Sequence, residues 1–176
     1  MIRASGLPDV EIRPSAGGPL SDHYDPRNRT LNLSPDVGQA STVAALGVAA
    51  HEAGHAIQDA RGYVPMRIRQ TVVPAASIGS SLAFPIIFLG FIFGSLGLVN
   101  VGLALFTAIV LFQLVTLPVE FDASRRALVA LREGGLLSSD ELDGAKQVLS
   151  AAGWTYVAGF VAAAAQLLYF FLASRR

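Results

Sequence analysis

The chain has 176 residues, about the length of one domain, with 13 basic and 13 acidic side chains, zero formal net charge and no cysteine. The missing cysteines exclude disulfides, Cys-ligated zinc and thiol catalysis, and a lone lysine (Lys146) with balanced charge gives nucleic acid no footing as a partner. With 52% hydrophobic and only 15% charged residues, and a mean hydropathy of +0.50, the chain is expected to turn much of its surface to something other than water, since globular proteins carry about a quarter charged residues.

Residues 1–34 are polar, rich in Pro, Gly and Asp, and contain no apolar h-region. No signal peptide is expected, and the first apolar span would act as an internal anchor. Val10-Glu11-Ile12-Arg13 alternates weakly and reads as a short strand; Asp25-Pro26-Arg27-Asn28 is a turn signal, and Thr30-Leu31-Asn32-Leu33 reads as a second strand. His23 falls in the loop between them. Ser34-Pro35-Asp36 opens a helical turn with Ser34 as N-cap and Pro35 in the first position.

A helix is expected from about Ser41 to Ala60, stopping near Gly62. It is crowded with small residues (Ala44, Ala45, Gly47, Ala49, Ala50, Ala53, Gly54, Ala56), which permit close packing of a neighbouring helix. It also carries His51-Glu52-Ala53-Gly54-His55. Histidines four apart project from one helical face, so both imidazoles can reach a single Zn²⁺ at about 2.0–2.1 Å. Glu52 is then placed to take a proton from a water held by the metal.

From Gln70 to Val119 the chain has no Asp, Glu, Lys, Arg or His, and the same is true from Gln147 to Ser174. A transmembrane helix needs about 20 apolar residues, so the first stretch fits two spans, near 72–93 and 101–118, and the second fits one, near 154–172. A turn is expected from Gly94 to Asn100. Glu120 to about Arg132 reads as a polar extension of the second span, ended by Gly134-Gly135. Ser138 and Glu141 stand at capping-box spacing, opening a helix that runs into the third span.

A catalytic zinc takes three protein ligands and keeps one position open. With three histidines in the chain, the third ligand is His23 or a carboxylate. Two spans return the chain to the face it left, so Glu120, the first charge after the hairpin, is the better candidate. Asp122 points about 200° around the helix from Glu120; it is expected to pair with Arg125 or Arg126, or to support a ligand.

Asp22-His23-Tyr24-Asp25-Pro26, the run from Val43 to Ala50 into the zinc motif, and the segment from Leu117 to Ala127 resemble the YugP-type bacterial membrane zinc metallopeptidases, from about Asp22 to Leu172. Glu120-Phe121 is also similar to the glutamate-ligand helix of prenyl-protein and HtpX-type membrane proteases, a gluzincin-like pattern. Those proteins carry an aspartate four residues after the ligand, where this chain has Ser124. Members of the resembled family usually have a membrane helix before the catalytic region, so a shortened form, a fragment or a dispensable first span is expected here.

The expectation is a mainly α, integral membrane protein with about three transmembrane helices and a small zincin-like region. It forms one domain over 1–176: strands and zinc helix over 1–70, hairpin over 71–118, third-ligand and connecting helices over 119–146, and a last span over 147–176. One Zn²⁺ per chain, held by His51, His55 and Glu120, would acidify its water to a pKa of about 7. Glu52 would act as base in peptide hydrolysis. His23 or Tyr24 would stabilise the oxyanion, and the Thr30–Leu33 strand would pair with extended substrate. The expected partners are a peptide or membrane-protein substrate and the lipid bilayer.

Arg61, Arg67 and Arg69 precede the first span and Arg125, Arg126 and Arg132 follow the second, whereas the turn between has none. The positive-inside rule puts the zinc site on the cytoplasmic side of a bacterial inner membrane, with Arg175 and Arg176 pulling weakly the other way. The alternative is a catalytically silent metal-binding scaffold or a structural membrane protein, neither of which has need of Glu52.

Overall fold

The structure is a computed structural model and describes residues 6, 7, 9–18 and 20–175. Arg176 and residues 1–5 of the polar N-terminal segment lie outside the described residues. The architecture is mainly helical, with three short strands and five helices among the described residues: β1 (Glu11–Pro14), β2 (His23–Asp25), β3 (Thr30–Leu33), α1 (Pro35–Gly38), α2 (Val43–Ala60), α3 (Val64–Ile92), α4 (Leu96–Glu133) and α5 (Ser139–Ala173). Two compact units emerge, one of residues 1–64 with 119–154, the other of 65–118 with 155–176; α4 and α5 each contribute to both.

In the first unit the strand order is β1-β3-β2, with β3 parallel to β1 and antiparallel to β2. His23 therefore lies on a strand rather than in a loop. Three residues amid turn formers carry too little alternation to be read as one, and β2 is held by its pairing with β3. The Thr30–Leu33 strand is central and hydrogen-bonded on both sides, so it has no edge for a substrate; the outer edges belong to β1 and β2.

Ser34 sits at the N-cap of α1, but its hydroxyl and backbone N–H both donate to the Asp22 carboxylate. Its side chain ties β2 to α1 instead of capping. Thr42 caps α2, accepting from Ala45 N at 3.2 Å, so that helix begins at Val43 rather than Ser41. Leu31 and Leu33 of β3 pack on Ala53, and Ala50 packs with Ala127, Leu131, Ala145 and Leu149 from α4 and α5. The capping box at α5 forms as expected, with Ser138 N donating to Glu141 Oε2 at 2.9 Å and Glu141 N to Ser138 Oγ at 3.4 Å.

The second unit is built on three helices, each long and apolar enough to cross a membrane: α3 with 29 residues, α4 with 38 and α5 with 35. Ala83, Ile87, Val99, Leu103, Phe106 and Phe170 form its core, with Phe84 set edge-on to Phe106 and Phe170. Small residues let the helices close up: a β-carbon on Gly79 would lie 2.8 Å from the Leu105 carbonyl oxygen. Large apolar side chains such as Phe88, Ile92 and Tyr169 stay exposed, the pattern of a surface that meets lipid.

The turn between α3 and α4 is tighter than the expected 94–100. Gly94 adopts φ +60°, Ser95 N donates to Gly90 O at 2.8 Å, and Ser95 Oγ accepts from Leu98 N at 3.4 Å, so α4 starts at Leu96. Helix α4 then runs unbroken through Pro118 to Glu133. The polar segment after Glu120 thus continues the apolar one as a single helix.

Candidate metal centre

All the residues of the candidate centre lie in the first unit. Helix α2 presents His51 and His55 on one face, as their spacing of four requires, with ring centroids 4.8 Å apart at 84°. Residues 119–133 of α4 lie against that helix. A β-carbon on Gly54 would overlap the Ala123 carbonyl oxygen and stand 3.0 Å from its carbon, so the fourth residue of the motif admits no side chain. This close approach brings Glu120, 2% exposed, between the imidazoles: its Oε2 is 3.0 Å from His51 Nε2 and 3.6 Å from His55 Nε2. One donor atom from each of the three residues lies within 4.8 Å of the others, an arrangement that could hold a metal ion.

The far nitrogens are also engaged. His51 Nδ1 is 3.0 Å from Ser124 Oγ, one turn beyond Glu120. His55 Nδ1 is 3.0 Å from Oε1 of Gln58, which is completely buried and whose Nε2 donates to Val119 O at 2.8 Å and to Asp122 Oδ2 at 2.9 Å. Asp122 accepts from both Arg125 and Arg126, and Arg126 lies over the Tyr63 ring. Asp122 thus pairs with both arginines, as expected, and also holds Gln58, the residue that touches His55. With both Nδ1 sides taken up, the two Nε2 atoms are the ones that face Glu120.

Glu52 is held from β2, its Oε2 accepting from Tyr24 N at 3.0 Å. Burial lifts its pKa above the usual carboxylate range, against the lowering pull of the two histidines. For His55, burial alone would lower the pKa, but the hydrogen bond and charge of Glu120 outweigh it and the net shift is upward.

Tyr24 grips α2 at a second point, its hydroxyl donating to Asp59 Oδ2 at 3.0 Å; burial first, and Asp59 second, push the phenol up to about 12. His23 is exposed on β2, with Nδ1 2.8 Å from Ser21 O and Nε2 3.3 Å from Asn32 Nδ2. It is not in the metal-capable group found among the described residues.

Gln58 and Asp59 carry only a faint signal in the sequence. Their signal is spacing, since Gln58 is seven residues after His51 and Asp59 seven after Glu52, each pair two turns apart on one face.

A family model described as "Putative neutral zinc metallopeptidase" matches residues 1–175. The chain is 42% identical over 171 residues to "Putative membrane protease YugP" of Bacillus subtilis strain 168, covering 97% of this chain and 75% of that protein. No solved structure matches. The family implies zinc, which two imidazole nitrogens and a carboxylate oxygen suit. A match of that extent takes in both units, and the chain belongs to the neutral zinc metallopeptidase family.

Proposed function

We propose that the protein is a membrane-bound, zinc-dependent endopeptidase, with His51, His55 and Glu120 as the ligands of one zinc ion and Glu52 as the general base. The observation that supports this most strongly is the convergence of His51 Nε2, His55 Nε2 and a Glu120 oxygen beside a second, separately held carboxylate, Glu52. A merely metal-binding scaffold would have no use for Glu52 in that position. Bound there, zinc supplies Lewis acidity that acidifies water and polarises a carbonyl. Glu52 accepts a proton at its carboxylate during attack on the peptide carbonyl and returns it to the departing amine. The Tyr24 N–H orients that carboxylate, and its raised pKa suits the return of the proton.

Substrate pairing, which β3 cannot offer, falls to an outer edge of the sheet. For His23 or Tyr24 to stabilise an oxyanion, their present bonds to Ser21 and Asn32, or to Asp59, would first be released. Unchanged peptidase activity in both His23→Ala and Tyr24→Phe would remove them from the mechanism. The arginines flanking the first two spans support a cytoplasm-facing site in a bacterial inner membrane, with a peptide or membrane-protein segment as substrate. The direct test is proteolysis of casein by purified protein: Glu52→Gln should keep its zinc and lose activity, and full activity in that variant would overturn the reading.

A further inference from the structure

We infer that Gln58 is the positioning residue of His55, presetting the imidazole tautomer that offers Nε2 to the metal. The inference rests on the metal-centre reading above. Its basis is donor and acceptor polarity. Val119 O is a carbonyl and Asp122 is a carboxylate receiving two guanidinium groups, so both accept hydrogen bonds only. The Gln58 side chain is completely buried, and only its NH₂ can face this pair. Its oxygen is thereby turned to His55 Nδ1, 3.0 Å away, and an amide oxygen can only accept.

The His55 proton must then reside on Nδ1, leaving the Nε2 lone pair directed at the cluster with Glu120. A flipped amide would set NH₂ against Nδ1 and an oxygen against two acceptors, so the network has one consistent polarity. Polarity therefore runs from the arginines through Asp122 and Gln58 to His55, and the same amide pins α2 to the helix that carries Glu120.

The test uses full-length protein in detergent micelles, with zinc affinity measured by chelator competition and the imidazole ¹⁵N spectrum recorded on zinc-loaded, ¹⁵N-histidine-labelled protein. With three histidines in the chain, assignment is direct. Gln58→Met should weaken zinc binding about 10–100-fold and expose the His55 Nδ1–H to rapid solvent exchange, while the His51 signal persists.

Should that variant not fold, a polarity swap decides. Gln58→Glu places a carboxylate against Asp122 and should bind zinc weakly; adding Asp122→Asn supplies a donor and should recover at least about tenfold of the loss. Wild-type zinc affinity with a protected Nδ1–H in Gln58→Met, or no recovery in the double variant, would overturn the role of Gln58. A wild-type protein that binds zinc no better than Glu120→Ala would instead overturn the metal centre itself.

Discussion

The backbone of Ala123 occupies the space that a side chain on Gly54 would need. That contact sets the distance between α2 and α4, and hence between the two histidines and Glu120. Gly54→Ala should be destabilising despite the intrinsic helix preference for alanine of about 1 kcal/mol, because the neighbour that must move is backbone. The expected net loss is about 1–3 kcal/mol, read from the thermal or denaturant midpoint in detergent, together with weaker zinc binding. A variant more stable than wild type would show that the helices are not held this closely.

Zinc binding should be proton-linked. Glu120 raises the His55 pKa in the metal-free protein, and a protonated imidazole cannot ligate, so protons compete from a pH above the ordinary histidine value of about 6.5. Apparent zinc affinity should fall as the pH drops through that raised value, with proton release on binding. Calorimetry at one pH in buffers of different ionisation enthalpy reads the proton number; no buffer dependence near pH 7 would contradict this.

Ser124 stands four residues after Glu120 and meets His51 Nδ1 at 3.0 Å. Ser124→Ala should therefore weaken zinc binding about 10-fold without moving the unfolding midpoint by more than about 0.5 kcal/mol equivalent. An unchanged zinc affinity would leave Ser124 with no part in holding His51.

Tyr24 makes an alkaline prediction. Its folded-state pKa of about 12 lies above the ordinary value of about 10. A raised pKa means the folded state holds the proton more tightly; the stabilisation is complete below about pH 10 and is lost as pH rises toward 12. Wild type should lose stability across that window more steeply than Tyr24→Phe, which has no phenol to titrate. Parallel pH–stability curves for the two proteins would contradict the raised phenol pKa.

Much of this arrangement was legible because it rests on periodicity and charge. The four-residue spacing placed His51 and His55 on one face, and the long charge-free stretch marked a hairpin whose end is Glu120. Long apolar helices are dictated by local pattern, so α3 to α5 followed from the sequence, save for ends decided by turn chemistry at Ser95 and by the start of α3 at Val64. The sheet was harder. Strand β2 exists through its pairing with β3, a nonlocal property that three residues do not announce, and the central place of β3 removed the edge assigned to it. Gln58 looks ordinary in sequence, because its bonds to Val119 and Asp122 depend on two helices meeting.

The central claim is that Glu120 completes a metal site with His51 and His55. Zinc content and chelator-competition affinity of purified Glu120→Ala against wild type test it most directly. The account predicts one zinc per wild-type chain and a large loss of zinc in the variant, with its helical content retained. Equal zinc content and affinity in the two proteins would contradict it.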